Sequence, residues 1–204
     1  NHGAAHISMA QRLPGETEIE WRQRIAADIE KGSRRLKEEL PASGQVLQKA
    51  FAYPYGEYNT GSSEQLTKRG YIAFGQQSGA IGRHSDLRAL PRYAMAESFA
   101  GMEEFRTKAA SLPLPVVKLE PWDPVTTEPL PELLITLGES NARLGELACF
   151  VTGQGKVDVR WVETNKQFVV APRRALGKGR HRVNCTAPRN DGRYMWFSHQ
   201  WITW

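Results

Sequence analysis

The chain has 204 residues, 40% hydrophobic and 24% charged, enough for one large domain or two small ones with an ordinary buried core. No run approaches the roughly eighteen consecutive apolar residues of a membrane-spanning helix, and no signal-peptide pattern is present, so no transmembrane segment is expected. The net charge of +5 raises nucleic acid as a partner, with Arg173, Arg174, Lys178, Arg180 and Arg182 spaced by Gly177 and Gly179. A solvated basic hairpin connection accounts for that run better, and no nucleic-acid recognition motif accompanies it, so a nucleic-acid partner is not expected. A basic face also suits an anionic cell envelope.

After Pro14-Gly15, residues 16–40 carry Trp21, Ile25, Ile29, Leu36 and Leu40 at four-residue spacing, which predicts an amphipathic helix with one buried stripe. Thr17 and Glu20 form a capping-box pattern at its start, and Pro41 marks its end. Residues 45–53 predict a short buried strand running into the Pro54-Tyr55-Gly56 turn. A helix over 62–69 and a strand at Tyr71-Ile72-Ala73-Phe74 follow, so the rhythm is that of an α/β fold, whose functional loops follow the strands.

Residues 75–90 read as a Gly/Ser-rich loop, and 97–110 as a last helix bearing Phe99, Met102 and Phe105. Prolines at 113, 115, 121, 124, 129 and 131 predict a linker over 112–131. Beyond it, strand-like runs at 132–138, 147–153, 156–163, 167–172, 180–187 and 193–202 predict a small antiparallel β-sandwich over 132–204. Cys149 and Cys185 fall on two of these runs without CxxC spacing, which leaves two buried thiols or one inter-strand disulfide. If the protein is exported, the disulfide is slightly favoured. Trp196, Trp201 and Trp204 around His199 suit either a sugar-stacking surface or a sandwich core, and the core reading is the simpler.

Two short patterns carry chemistry. His2 and His6 stand four apart, a spacing that on a helical turn aims two imidazoles at one point, as a divalent metal requires. Phe51-Ala52-Tyr53-Pro54-Tyr55-Gly56 is a strand end entering a tight turn, with aromatics for a core edge.

Together these patterns resemble the polysaccharide deacetylases (NodB homology, carbohydrate esterase family 4). His2-Gly3-Ala4-Ala5-His6 is similar to that family's second motif, H-[S/T]-x-x-H, and Phe51–Gly56 to its third motif in the F-x-YPYG form. Glu57-Tyr58-Asn59, Leu66, Lys68 and Gly70-Tyr71 continue the likeness, and Leu90-Pro91-Arg92 resembles its LPR element. The resemblance covers roughly residues 1–110 and implies a partial distorted (β/α) barrel over 1–111.

It also implies a metal-dependent hydrolase, zinc being the usual metal, acting on an acetylated polysaccharide or oligosaccharide outside the cytoplasm: extracellular, periplasmic or at the cell envelope. His2 and His6 would be metal ligands. The Tyr55 backbone N–H would stabilise the oxyanion, and Tyr53, Pro54 and Gly56 would line the substrate. Ala52 stands where the commoner R-P-P-Y motif has arginine, so Arg92 is the candidate to supply that charge. The family's aspartate pair, a third ligand and a base, belongs to a motif preceding the histidines, so an upstream segment of the same domain is an expected partner. No Leu-x-His element is found. His84 is either its substitute or a solvated loop residue. A glycan-binding protein that has lost catalysis is the alternative reading.

Overall fold

The computed structural model describes residues 1–40 and 48–204; the expected stop at Pro41 and the beginning of the strand expected from Gln45 lie outside the described residues. The chain divides into two compact units, Asn1–Gln76 with Asp86–Leu90 and Gln77–Ser85 with Pro91–Trp204.

In the first unit, helix α1 spans Glu18–Glu39 and opens with the expected capping box. The Thr17 side chain accepts from the Glu20 N–H, and the Glu20 carboxylate accepts from the Thr17 N–H. Trp21, Ile25 and Ile29 are buried, as the four-residue stripe predicts. The stripe then changes character. Leu40 is 48% exposed, and the next buried position is Gly32, where a Cβ would stand 2.6 Å from Asn1 Oδ1 and 3.2 Å from the Gly3 carbonyl carbon. Backbone of the first residues occupies that space, so the face is completed by chain and not by Leu40.

Strand β1 (Ala50–Ala52), helix α2 (Thr60–Lys68) and strand β2 (Ile72–Phe74) form a βαβ unit, with Ala50 opposite Ile72 and Ala52 opposite Phe74 in a parallel pair. Asn59 caps α2 by accepting the Ser62 N–H at 2.8 Å. Gly61 lies against Trp21, where a Cβ would come within 2.7 Å of the indole, so a small residue is needed where the two helices meet. Leu90 extends the pairing through a bridge to Phe74.

In the second unit, the helix expected over 97–110 is split: a 3-10 turn at Glu97–Phe99 precedes α3 (Met102–Ala110), with Gly101 as N-cap. The stretch expected as a linker is not one. It supplies β3 (Leu112–Pro113) and β4 (Val116–Glu120). Both stand at sheet edges, where an unpaired proline nitrogen costs no ladder bond.

Seven further strands follow: β5 (Leu133–Leu137), β6 (Ala148–Val151), β7 (Gly155–Val157), β8 (Val159–Glu163), β9 (Gln167–Val170), β10 (Gly179–Pro188) and β11 (Tyr194–Thr203). They form one sheet in the order β3-β11-β10-β6-β7 and another in the order β4-β5-β9-β8, antiparallel except for the β3–β11 pair. The run expected as a single strand over 156–163 passes from one sheet to the other at Asp158. Leu133, Ile135, Phe168, Val183, Trp201 and Val151 share one core drawn from both sheets, which makes this unit a β-sandwich.

Cys149 and Cys185 are directly opposite on β6 and β10 and are joined by a disulfide, with Cα atoms 4.1 Å apart. The bridge links neighbours in one sheet. Val183 faces His199 across the β10–β11 ladder, and His199 is 3% exposed with no hydrogen-bond partner for Nε2. Burial lowers its pKa to about 4, so the folded protein holds it neutral.

Two consequences are measurable. A Cys149→Ala/Cys185→Ala double variant releases a loop of 36 residues in the unfolded chain. It should lose about 3–4 kcal/mol of stability in urea unfolding under oxidising conditions. For His199, the unfolded side chain binds a proton below about pH 6.5 while the folded one does not until about pH 4. That stability is therefore fully present above pH 6.5 and is lost as pH falls through the window, by up to about 3 kcal/mol. A His199→Leu variant should show a flatter stability profile from pH 7 to pH 4 in denaturant titrations.

Candidate functional site

Residues 1–6 form no helical turn, contrary to the geometry expected from the His2–His6 spacing. Gly3 has φ +73° and His6 φ +52°, left-handed values that break a helix. The imidazoles nevertheless converge, their ring centroids 4.8 Å apart. The loop is pinned from outside. The Asn1 N–H donates to Ala50 O and the Asn1 carbonyl accepts the Ala52 N–H, tying it to β1. The Asn1 amide donates to Ile29 O at 3.0 Å and Ser33 Oγ at 2.9 Å, tying it to α1. The Asp28 carboxylate accepts the Ala4 and Ala5 N–H groups at 3.1 and 2.8 Å.

The second element is the turn after β1. Tyr53 is completely buried, donates its hydroxyl to Arg88 O at 2.9 Å and stacks on Tyr58 at 5.0 Å. Burial raises its pKa, so it stays a neutral phenol. It is a core residue and cannot touch a polymer, which corrects its expected place beside the substrate. Pro54 and Gly56 are buried too and shape the turn. Gly56 has φ +72°, and a Cβ there would stand 2.6 Å from the Gln76 Cβ. Between them Tyr55 takes φ +57° and turns outward, 44% exposed, its ring 4.5 Å from the His6 ring in an edge-to-face contact.

His2, His6 and Tyr55 thus come together on the surface of the first unit. His2 Nδ1 lies 2.6 Å from Ala52 O. A carbonyl only accepts, so Nδ1 carries a proton, and in the neutral ring Nε2 then presents its lone pair, as in a histidine whose other nitrogen is anchored. Two imidazoles at this separation fit a divalent metal as part of its ligand set. Among the described residues no group of three or more His, Cys, Asp or Glu side chains that could hold a metal ion assembles.

The other sequence candidates belong to the second unit. Arg92 belongs to the second unit, where its side chain is exposed and its N–H donates to Gln77 O. His84 is exposed in a loop of that unit, with Arg83 Nε 2.8 Å from its Nε2. Trp201 is core, Trp196 packs edge-to-face on Tyr93 at 5.5 Å, and Trp204 is 44% exposed. Of the basic run, Arg173, Arg174, Lys178 and Arg180 are exposed and Arg182 is half-buried. Asp28 escaped sequence reading because an acidic residue inside an amphipathic helix looks like solvent-facing charge. Its one signal is its place between Ile25 and Ile29 on the buried stripe.

No family model matches the chain. A segment of 90 residues, 44% of the chain, is 32% identical to the poly-β-1,6-N-acetyl-D-glucosamine N-deacetylase of Escherichia coli (strain K12), with the same identity and length against that of Escherichia coli O157:H7. The match spans 13% of the length of these curated relatives. The chain thus contains a region similar to a polysaccharide deacetylase. Among solved structures, CopC from Methylosinus trichosporium OB3b is 12% identical with a TM-score of 0.33, covering 44% of this chain and 91% of that one. PcoC, a methionine-rich copper resistance protein from Escherichia coli, is 20% identical with a TM-score of 0.27, covering 37% and 83%. Likenesses this loose carry no argument about the present chain.

The turn that presents Tyr55 is testable. Gly56→Ala meets both a left-handed φ and the Gln76 backbone nitrogen, 2.9 Å from the added Cβ. It should cost about 2 kcal/mol or more in thermal or urea unfolding, through strain and displaced packing.

Proposed function

We propose that this chain is part of a metal-dependent hydrolase that removes acetyl groups, N-acetyl first, from a polysaccharide. The observation that carries the reading is the convergence of His2 and His6 beside exposed Tyr55, with His2 Nδ1 anchored on Ala52 O. The similarity of a 90-residue segment to a poly-β-1,6-N-acetyl-D-glucosamine N-deacetylase supports the substrate class and makes that polymer the first to test. The βαβ unit of the first unit is, on this reading, a piece of the distorted barrel of such enzymes.

His2 and His6 would hold the metal through Nε2 of His2 and the ring of His6. A bound zinc ion supplies an acidified water and a polarised acetyl carbonyl. The chain's own residues do the rest of what is assigned to them here. The Ala52 carbonyl keeps the proton on His2 Nδ1. Pro54 and Gly56 hold the turn, and the Tyr55 N–H is the proposed donor to the oxyanion that forms when water adds to the acetyl carbon. The exposed Tyr55 ring offers a flat apolar face to a sugar.

Export to an extracellular, periplasmic or envelope location is part of the proposal. The Cys149–Cys185 disulfide supports it, because such bonds persist in oxidising compartments. No helix among the described residues is long and apolar enough to cross a membrane.

The test is acetate release from an N-acetylated β-1,6-linked glucosamine oligomer by the full-length protein, with added zinc and after chelation. Chelation should abolish turnover. His2→Ala and His6→Ala should each lower it by about a hundredfold or more, since even outer-shell changes at metal sites cost 10–100-fold. Undiminished turnover in both variants would remove the site assignment. Oligomer binding without acetate release would instead make the protein a glycan-binding module.

A further inference from the structure

The loop carrying the two histidines holds one hydrogen bond of its own, from the Gly3 N–H to Asn1 Oδ1, and is otherwise tied from outside. Gly3, Ala4 and Ala5 have no polar side chain, and the positive φ values at Gly3 and His6 deny it the hydrogen bonds of a helical turn. Four hydrogen bonds, three of them to backbone groups, tie its first residue to β1 and α1, and the two N–H groups after that of Gly3, those of Ala4 and Ala5, go to one side chain. Asp28, only 8% exposed, spends both carboxylate oxygens there: Oδ2 accepts the Ala4 N–H and Oδ1 the Ala5 N–H. Such charge-assisted bonds are stronger than neutral ones, and a buried carboxylate is costly unless it makes them. The same oxygen explains the glycine. A Cβ on Gly3 would stand 2.3 Å from Asp28 Oδ2, so a side chain at position 3 and the carboxylate at position 28 exclude one another.

We propose that Asp28 is the positioning residue of the two-histidine site. By clamping Ala4 and Ala5 to helix α1 it brings the imidazoles to their 4.8 Å separation, places His6 against Tyr55, and thereby sets the affinity for a divalent cation. Asp28 touches neither imidazole in this role. It acts only through the backbone between them. The cation part of the inference rests on the metal reading proposed above; the positioning part does not.

The experiment uses the full chain with zinc as the probe. Zinc affinity is measured by competition with a chromophoric chelator for the unsubstituted protein, Asp28→Ala, Asp28→Asn and His2→Ala. In parallel, metal-free samples are examined by NMR for cross-relaxation between the His6 and Tyr55 ring protons, with thermal unfolding recorded for each variant. Asp28→Ala should weaken zinc binding ten- to a hundredfold and abolish the His6–Tyr55 cross-peaks. Asp28→Asn keeps one acceptor oxygen and should fall between the two. A lowered melting temperature with zinc affinity within twofold and cross-peaks intact, in both Asp28 variants, overturns the proposal. If Asp28→Ala fails to fold, Asp28→Asn decides by the same two readouts. If the unsubstituted protein binds zinc no better than His2→Ala, the metal reading fails. The cross-peaks still decide the positioning role: their loss in Asp28→Asn upholds it, and their persistence overturns it.

Discussion

The two backbone N–H groups of Ala4 and Ala5, held by a buried carboxylate on a helix, are the constraint on which the geometry of the candidate site depends. Residues 1–6 have no regular secondary structure, and Ala52 O of β1 anchors the His2 ring. Helix α1 holds the backbone between the two histidines. Its capping box fixes where the helix starts, Trp21, Ile25 and Ile29 fix which face turns inward, and that face brings Asp28 and Gly32 under the loop. The order of causes runs from a cap and a hydrophobic stripe to a helix face. From that face it runs to a carboxylate, and from the carboxylate to two converging rings.

The turn after β1 divides its aromatics by burial. Tyr53 and Tyr58 stack inside the first unit, and the Tyr53 hydroxyl is used up on a backbone carbonyl. Tyr55, between them in sequence, is forced outward by a left-handed backbone step, and the glycine after it makes the close approach to Gln76 that keeps the step in place. A run that reads as three similar tyrosines therefore yields two anchors and one exposed ring. The anchors tie the turn to the core, and a fixed backbone is what the proposed oxyanion donor needs.

Much of this was legible in the sequence wherever a short-range rule governs. The Thr17–Glu20 cap, the inward stripe of α1 as far as Ile29, most strand runs of the sandwich and the placing of Cys149 and Cys185 on strands follow from periodicity and local chemistry. What stayed hidden depends on partners distant in the chain. The proline-rich stretch reads as linker because a strand signal assumes that every nitrogen is needed, whereas an edge strand leaves half of them unpaired. Residues 156–163 alternate without interruption, so nothing local marks Asp158 as the point of transfer between sheets. The His2–His6 spacing suggested a helix, but the rings meet through a loop, because convergence needs only a pinned backbone. Asp28 was invisible because its partners lie 23 and 24 residues away.

The second unit helps to locate the chemistry by how its own reactive-looking groups are used. Cys149 and Cys185 are joined to each other, His199 is kept neutral in the sandwich interior, and Trp201 is part of the core. Each of these side chains can serve in catalysis or sugar binding when it is free and accessible, and here each is occupied by packing or by a covalent bond. A histidine held uncharged with Nε2 unsatisfied gains nothing from that nitrogen by hydrogen bonding, and acid pH works against it. The exposed His2, His6 and Tyr55 of the first unit stand in the opposite condition. Their rings are accessible, one has its tautomer set by a backbone carbonyl, and their spacing is imposed by a helix that they do not belong to. That contrast between side chains consumed by a fold and side chains presented by one favours the first unit as the place of the proposed chemistry.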